Sequence, residues 1–190
     1  MASKVEIANR ALQILGAKRI VSLTEASRNA QAINAAFEPV KRAELRKHPW
    51  GFAIKRVALA ADATAPAFTR TNSFPLPADY IRILSPDPEV NYNDLDWVIE
   101  GRSIITNSSA PLNVRYIYDV TDPNLFDTLF REVLSAKLAE QLCEEITQSN
   151  TKIATAASFY DSIVAEAKRT NAIEKPAEST PEDTWVTVRS

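Results

Sequence analysis

Cysteine, histidine and glycine are scarce in this chain: its 190 residues include one Cys, one His and three Gly. A single thiol, Cys143, excludes an intrachain disulfide framework and a cysteine-rich zinc site. A single imidazole, His48, excludes two-histidine metal sites, and three glycines give phosphate-cradling loops little to work with. No apolar run approaches the roughly 18–20 residues of a membrane span, so no membrane association is expected. The first residues enter an amphipathic pattern without an uninterrupted apolar stretch, which argues against a secretory signal.

What is present suits a packed fold. Hydrophobic residues make up 45% and charged residues 24% of a 21.0 kDa chain, enough for one ordinary domain or two small ones. The net charge of -2 hides a division: residues 1–56 carry 11 basic and 4 acidic side chains, the remainder 11 and 20. Such asymmetry fits an anionic partner for the basic end, or basic and acidic segments that face each other within the fold or across a subunit boundary. No nucleic-acid motif accompanies the basic end, which favours the second.

The periodicity predicts a helix over residues 4–17, with Val5, Ala8, Leu12 and Leu15 on one face and Gly16 as its stop. Ser22 and Glu25 have capping-box spacing ahead of a second helix over 26–47, kinked near Pro39 and ended by Pro49. Short strands follow at 54–60, 80–84, 96–99, 102–106 and 112–120, with a hairpin at Glu100-Gly101 and an extended Phe74–Pro77 stretch. Asp122-Pro123 opens a third helix whose stripe is Phe126, Phe130, Leu134, Leu138, Leu142 and Ile146. Ser149 or Asn150 separates it from a fourth helix carrying Ile153, Ala157, Tyr160, Val164 and Ala167. The expected fold is α+β: a four-helix bundle of two N-terminal and two C-terminal helices, a small inserted antiparallel sheet, and an extended C-terminal tail. The boundaries are residues 1–52 and 122–173 for the helices, 53–121 for the β-rich insertion and 174–190 for the tail.

Little chemistry is legible. A nucleophilic triad would need His48, at a helix end, and no Gly-x-Ser-x-Gly elbow exists. Cys143 sits on an apolar helix face, where a thiol is ordinarily inert. Glu100, Asp119, Asp122 and Asp127 are candidates for a glycosidase carboxylate pair, yet each also suits a cap, a turn or a solvated face. Asp87, Glu89, Asp94 and Asp96 could hold a hard cation but lack calcium-loop spacing. Lys41, Arg42, Arg46, Lys47, Lys55 and Arg56, interleaved with Phe37, Trp50 and Phe52, could grip single-stranded nucleic acid. The same residues fit a helix's outer face and core stripe, with Trp50 plugging the helix–sheet junction.

Several ordered segments carry a resemblance. They are Asn9-Arg10-Ala11-Leu12 with Ile14-Leu15-Gly16, then Ile20, Ser22-Leu23 and Glu25, and the run from Leu45 through Trp50 to Ala53. The run from Phe74 to Arg82, Trp97 to Arg102, Tyr160, and Glu166 to Asn171 follow. In order and spacing the chain, up to about residue 173, resembles the tail tubular protein A and head-completion (head-to-tail adaptor) family of short-tailed bacteriophages. That resemblance implies a virion protein, assembled in the bacterial host cytoplasm, that forms a ring, typically dodecameric, between the portal and the tail. The ring would extend the DNA channel for the packaged double-stranded DNA, help retain the genome and present a platform to a downstream tail tube or nozzle protein. It implies no enzymatic activity and no cofactor. The alternative is a tail-associated hydrolase of cell-wall glycans, as some relatives have been credited with, although no carboxylate pair here can be matched to one.

Residues 174–183 are too polar to pack and read as a tether. The strand-prone residues beyond, with Trp185, Val186 and Val188, are expected to dock on a neighbouring subunit or the portal. Closure of the chain's own sheet is the alternative.

Overall fold

The computed structural model describes residues 2–85 and 96–174. Helix α1 (Lys4–Leu15) starts on a capping box in which Ser3 accepts from the Glu6 N–H and Glu6 accepts from the Ser3 N–H. It stops at Gly16, whose φ of 66° is a left-handed conformation that glycine adopts without a Cβ penalty. Helix α2 (Arg28–Lys47) starts on Ser27, not at residue 26, and runs through Pro39. The Ser22/Glu25 pair caps no helix. Glu25 instead accepts from the Val21 and Ser22 N–H groups and closes the α1–α2 loop on itself.

The β-rich segment holds β1 (Ile54–Leu59), β2 (Asn72–Pro75), β3 (Tyr80–Ser85), β4 (Trp97–Glu100), β5 (Ser103–Thr106) and β6 (Leu112–Tyr118). They form two three-stranded antiparallel sheets, ordered β1-β6-β3 and β2-β5-β4. Asp122 and Pro123 introduce only a short 3-10 turn; α3 (Thr128–Thr147) begins on Asp127, which accepts from the Leu129 and Phe130 N–H groups. Helix α4 (Asn150–Ile173) completes the described chain.

The expected bundle with a single inserted sheet is corrected on both counts. In a four-helix bundle each helix buries one stripe. In α3 the buried residues include Phe130, Val133, Leu134, Ala136, Leu138, Ala139, Leu142 and Cys143. At 3.6 residues per turn these point all the way round the axis. Helix α3 is therefore a central helix on which α1, α2 and α4 pack, while α1 and α2, consecutive in sequence, make little direct contact. The i+4 stripe identified one side of α3 and missed the others. The inserted sheet is two sheets because β5 pairs with β2 and β4, whereas β6 pairs with β1 and β3. Leu59, Ile83, Leu112 and Val114 of one then meet Phe74 and Ile104 of the other in a second core. Ile81 and Ile117, on the opposite face of the first sheet, enter the helical core. The β1-β6-β3 sheet is thus held between the helices and its partner sheet.

Candidate functional site

The basic stretch of α2 and β1 reads in sequence either as a grip for single-stranded nucleic acid or as a solvated or subunit-contacting face, and the structure shows what its members do. Lys41 is fully buried, its Nζ 2.7 Å from Glu38 and 2.9 Å from Asp119. These are ion-pair distances, though neither contact is aligned as a hydrogen bond. Arg42 reaches the other Asp119 oxygen at 3.5 Å. Arg46 donates to the Ile81 carbonyl, and Arg82 donates back to the Arg46 carbonyl at 3.0 Å, tying α2 to β3. Lys47 meets Glu44 at 2.6 Å, and the Tyr160 hydroxyl donates to the second Glu44 oxygen at 2.9 Å, so a buried carboxylate has both oxygens satisfied. Lys55 pairs with Asp79 at 2.6 Å and lies over the Tyr118 ring. The aromatics are equally engaged. Phe37 is core, and Trp50 and Phe52 pack on Phe130 with ring centroids 5.2 and 5.0 Å away. Phe37 and Trp50 are buried, so no base could stack on those two in this arrangement.

Basic and acidic segments therefore do face each other inside the fold: Arg10 with Glu132, Lys41 and Arg42 with Asp119, and Lys55 with Asp79. Burial disfavours the charged form of Glu38, but the hydrogen bond from Lys4 and the neighbouring Lys41 ammonium outweigh it and hold the carboxyl below its usual range. Asp79 is lowered in the same way, with Lys55 and the Tyr116 hydroxyl overcoming desolvation. Burial, then the Asp79 carboxylate, push the Tyr116 phenol up to about 12. Burial and Glu44 raise that of Tyr160.

The segments that carry the phage resemblance are brought together as structural pins. Asn9 exchanges two hydrogen bonds with the Ile20 backbone, at 2.9 and 2.8 Å. Asn171, near the end of α4, accepts from the Gly51 N–H at 2.9 Å and lies 2.9 Å from His48 Nε2. Arg102 donates to the Pro77 carbonyl, and the Leu76 N–H donates to the Arg102 carbonyl. The Asn171 and Arg102 contacts join segments distant in sequence, and the Asn9 contact closes the loop after α1.

The catalytic candidates are not gathered into a site. Cys143 is buried and its Sγ lies beside Thr147 on its own helix, while His48 is held by Asn171 and stacks edge-on against Trp50. Asp119 is ion-paired, Asp122 and Asp127 are caps, and Glu100 is exposed at the end of β4. Asp96 pairs with Arg70. Asp87, Glu89 and Asp94, and the docking candidates Trp185, Val186 and Val188, lie outside the described residues. Among the described residues no group of three potential metal ligands occurs, and no helix is long and apolar enough to cross a membrane.

Among the described residues, two basic side chains meet across the first sheet. Arg56 of β1 stands directly opposite Arg115 of β6, two like charges on one face of the sheet. Neither has an ion-pair partner among the described residues, and the half-buried Arg115 keeps an Nε without a hydrogen-bond acceptor. Arg56 was visible in sequence as one of six basic residues. Arg115 was not, because only strand register places it there. Among the described residues β1 is an edge strand, paired on one side by β6.

A scan against protein-family models finds no match, and a search of curated proteins finds none either.

Proposed function

We propose that the chain is a head-to-tail adaptor of a short-tailed bacteriophage. In that role it forms a ring, typically dodecameric, between the portal and the tail, extends the DNA channel and helps retain the packaged genome. The observation that carries this reading is the convergence of the motif segments. Asn171, Gly51, His48, Arg46 and Arg82 tie α2, α4 and the β1-β6-β3 sheet into one body. That arrangement suits a part that bears load and presents surfaces. Its polar side chains are engaged in holding elements together, with the Arg56–Arg115 pair left over for a partner.

The test is co-elution with the portal protein of the same particle. The adaptor is expected to be largely monomeric alone and to join the portal as a multi-copy complex. Failure to bind the portal, combined with release of sugar from peptidoglycan that is lost on a single Asp or Glu substitution, would replace this reading with the hydrolase.

A further inference from the structure

Next to the Arg56–Arg115 pair, on the same face of the β1-β6-β3 sheet, Ala58 stands opposite Asn113. Arg56, Ala58 and Asn113 are exposed, and Arg115 is half-buried. Among the described residues, neither the two guanidinium groups nor the Asn113 amide has a hydrogen-bond or ion-pair partner. We propose that Arg56, Arg115 and Asn113 form a binding site for a phosphate dianion, either the inorganic ion or the terminal phosphate of a monoester. The site goes beyond the adaptor reading and does not rest on it.

Residues directly opposite in an antiparallel pair have Cα atoms about 5 Å apart, so two arginines placed there reach one ligand together. Like charges so placed oppose the pairing of β1 with β6, and an anion shared between them reverses that sign. The Arg115 Nε–H is buried without an acceptor, the mark of a guanidinium whose desolvation the fold does not compensate. A guanidinium donates two parallel, charge-assisted N–H bonds to oxyanions, and Asn113 adds amide N–H donors from the next position on the face. Ala58, with nothing beyond its Cβ, takes little of the space beside Arg56.

Charge and oxygen count select the ligand. A carboxylate brings one charge and two oxygens, which a single arginine fork fills. A phosphate monoester carries about −1.5 to −2 near pH 7 and three acceptor oxygens, enough for both arginines and Asn113. A backbone phosphodiester, with one charge, leaves one arginine uncompensated. Arg46 and Arg82, at the contact of α2 with β3, give hydrogen bonds only to backbone carbonyls and add positive charge without a described ion pair. The chain's own competing carboxylates are Asp87 and Glu89, which follow in sequence from Ser85, the residue opposite Arg115 in β3.

Calorimetric titration of inorganic phosphate into the full-length chain, in a chloride buffer of low ionic strength where phosphate is a dianion, tests the site. One phosphate per chain is expected, bound roughly tenfold more weakly after Arg56→Gln or Arg115→Gln. Arg19→Gln, which removes an exposed charge from the α1–α2 loop, should leave binding nearly unchanged. Thermal midpoints check that Arg115→Gln is folded, and Arg56→Gln, at an exposed position, is the second variant. Tighter binding of inorganic phosphate than of O-phosphoserine assigns the site to the free ion, and the reverse assigns it to a phosphorylated molecule. Absence of phosphate binding, equal weakening by Arg19→Gln, or acetate bound as tightly as phosphate overturns the proposal. So does stronger displacement of phosphate by duplex DNA lacking terminal phosphates than by O-phosphoserine. Binding that appears only in an Asp87→Asn/Glu89→Gln variant overturns it as well, because the arginines then serve the chain's own carboxylates. No portal takes part, so the adaptor reading stands or falls separately.

Discussion

Lys41 is the residue on which the fold's electrostatics turn. A fully buried ammonium is tolerated because Glu38 and Asp119 flank it at ion-pair distance, and removing Asp119 leaves it with Glu38 alone, the more exposed of the two. Asp119→Ala should therefore cost about 3 kcal/mol, and Lys41→Met distinctly less, since a methionine fills the space without needing an anion. Urea unfolding of the two variants at pH 7 checks the order; equal losses would mean that packing, not charge, dominates. The lowered carboxyls of Glu38 and Asp79 give a pH dependence with a definite sign. Both bind protons more weakly folded than unfolded. Their contribution is present above the ordinary values of 4.5 and 3.8 and is lost as the pH falls through the lower folded ones. Thermal midpoints measured between pH 6 and 2 should fall on acidification, and Glu38→Gln/Asp79→Asn should flatten that fall.

At the scale of elements, much of the fold was legible. Amphipathic spacing found all four helices, and Gly16 marks the end of α1 as read. Because that glycine sits at φ 66° while the nearest contact of an added Cβ is an ordinary 3.6 Å from Lys152 Nζ, Gly16→Ala should cost about 1 kcal/mol, all of it backbone strain. A loss above about 3 kcal/mol in chemical denaturation would point to packing at that corner instead. What the sequence hid was pairing. The strands around Phe74 and Ile83 belong to different sheets, because which strands pair depends on contacts between residues far apart in the chain, such as Phe74 with Ile104 and Ile83 with Tyr116. The Asp122-Pro123 signal was sound chemistry for a helical start, yet it yields one 3-10 turn before Asp127 caps α3. Arg115 was invisible for the same reason as the sheets: its importance comes from facing Arg56, a fact of register alone.

At the scale of the whole molecule, the β1-β6-β3 sheet lies between a helical core and a second core shared with the other sheet. Truncation after Lys175 should leave thermal stability near that of the full chain, because the two described cores lie within residues 5–167. The same truncation should impair ring formation or portal attachment. A truncated chain that unfolds, or one that assembles normally, would assign the segment another task. Duplex DNA should bind the isolated chain weakly and without sequence preference, since most of the basic stretch is engaged inside the fold. Titration near physiological salt, repeated with Lys41, Arg42, Arg46 and Lys47 substituted, checks that.

The central claim is that this is a ring component assembled on a portal. The mass of the intact complex formed when the purified chain meets the portal ring tests it most directly. A monomer is expected at low micromolar concentration without portal, and with portal a single species whose added mass is a whole, ring-closing number of 21.0 kDa subunits. Stable rings in the absence of portal would contradict portal-nucleated assembly. An unchanged portal mass after mixing would contradict the adaptor role itself.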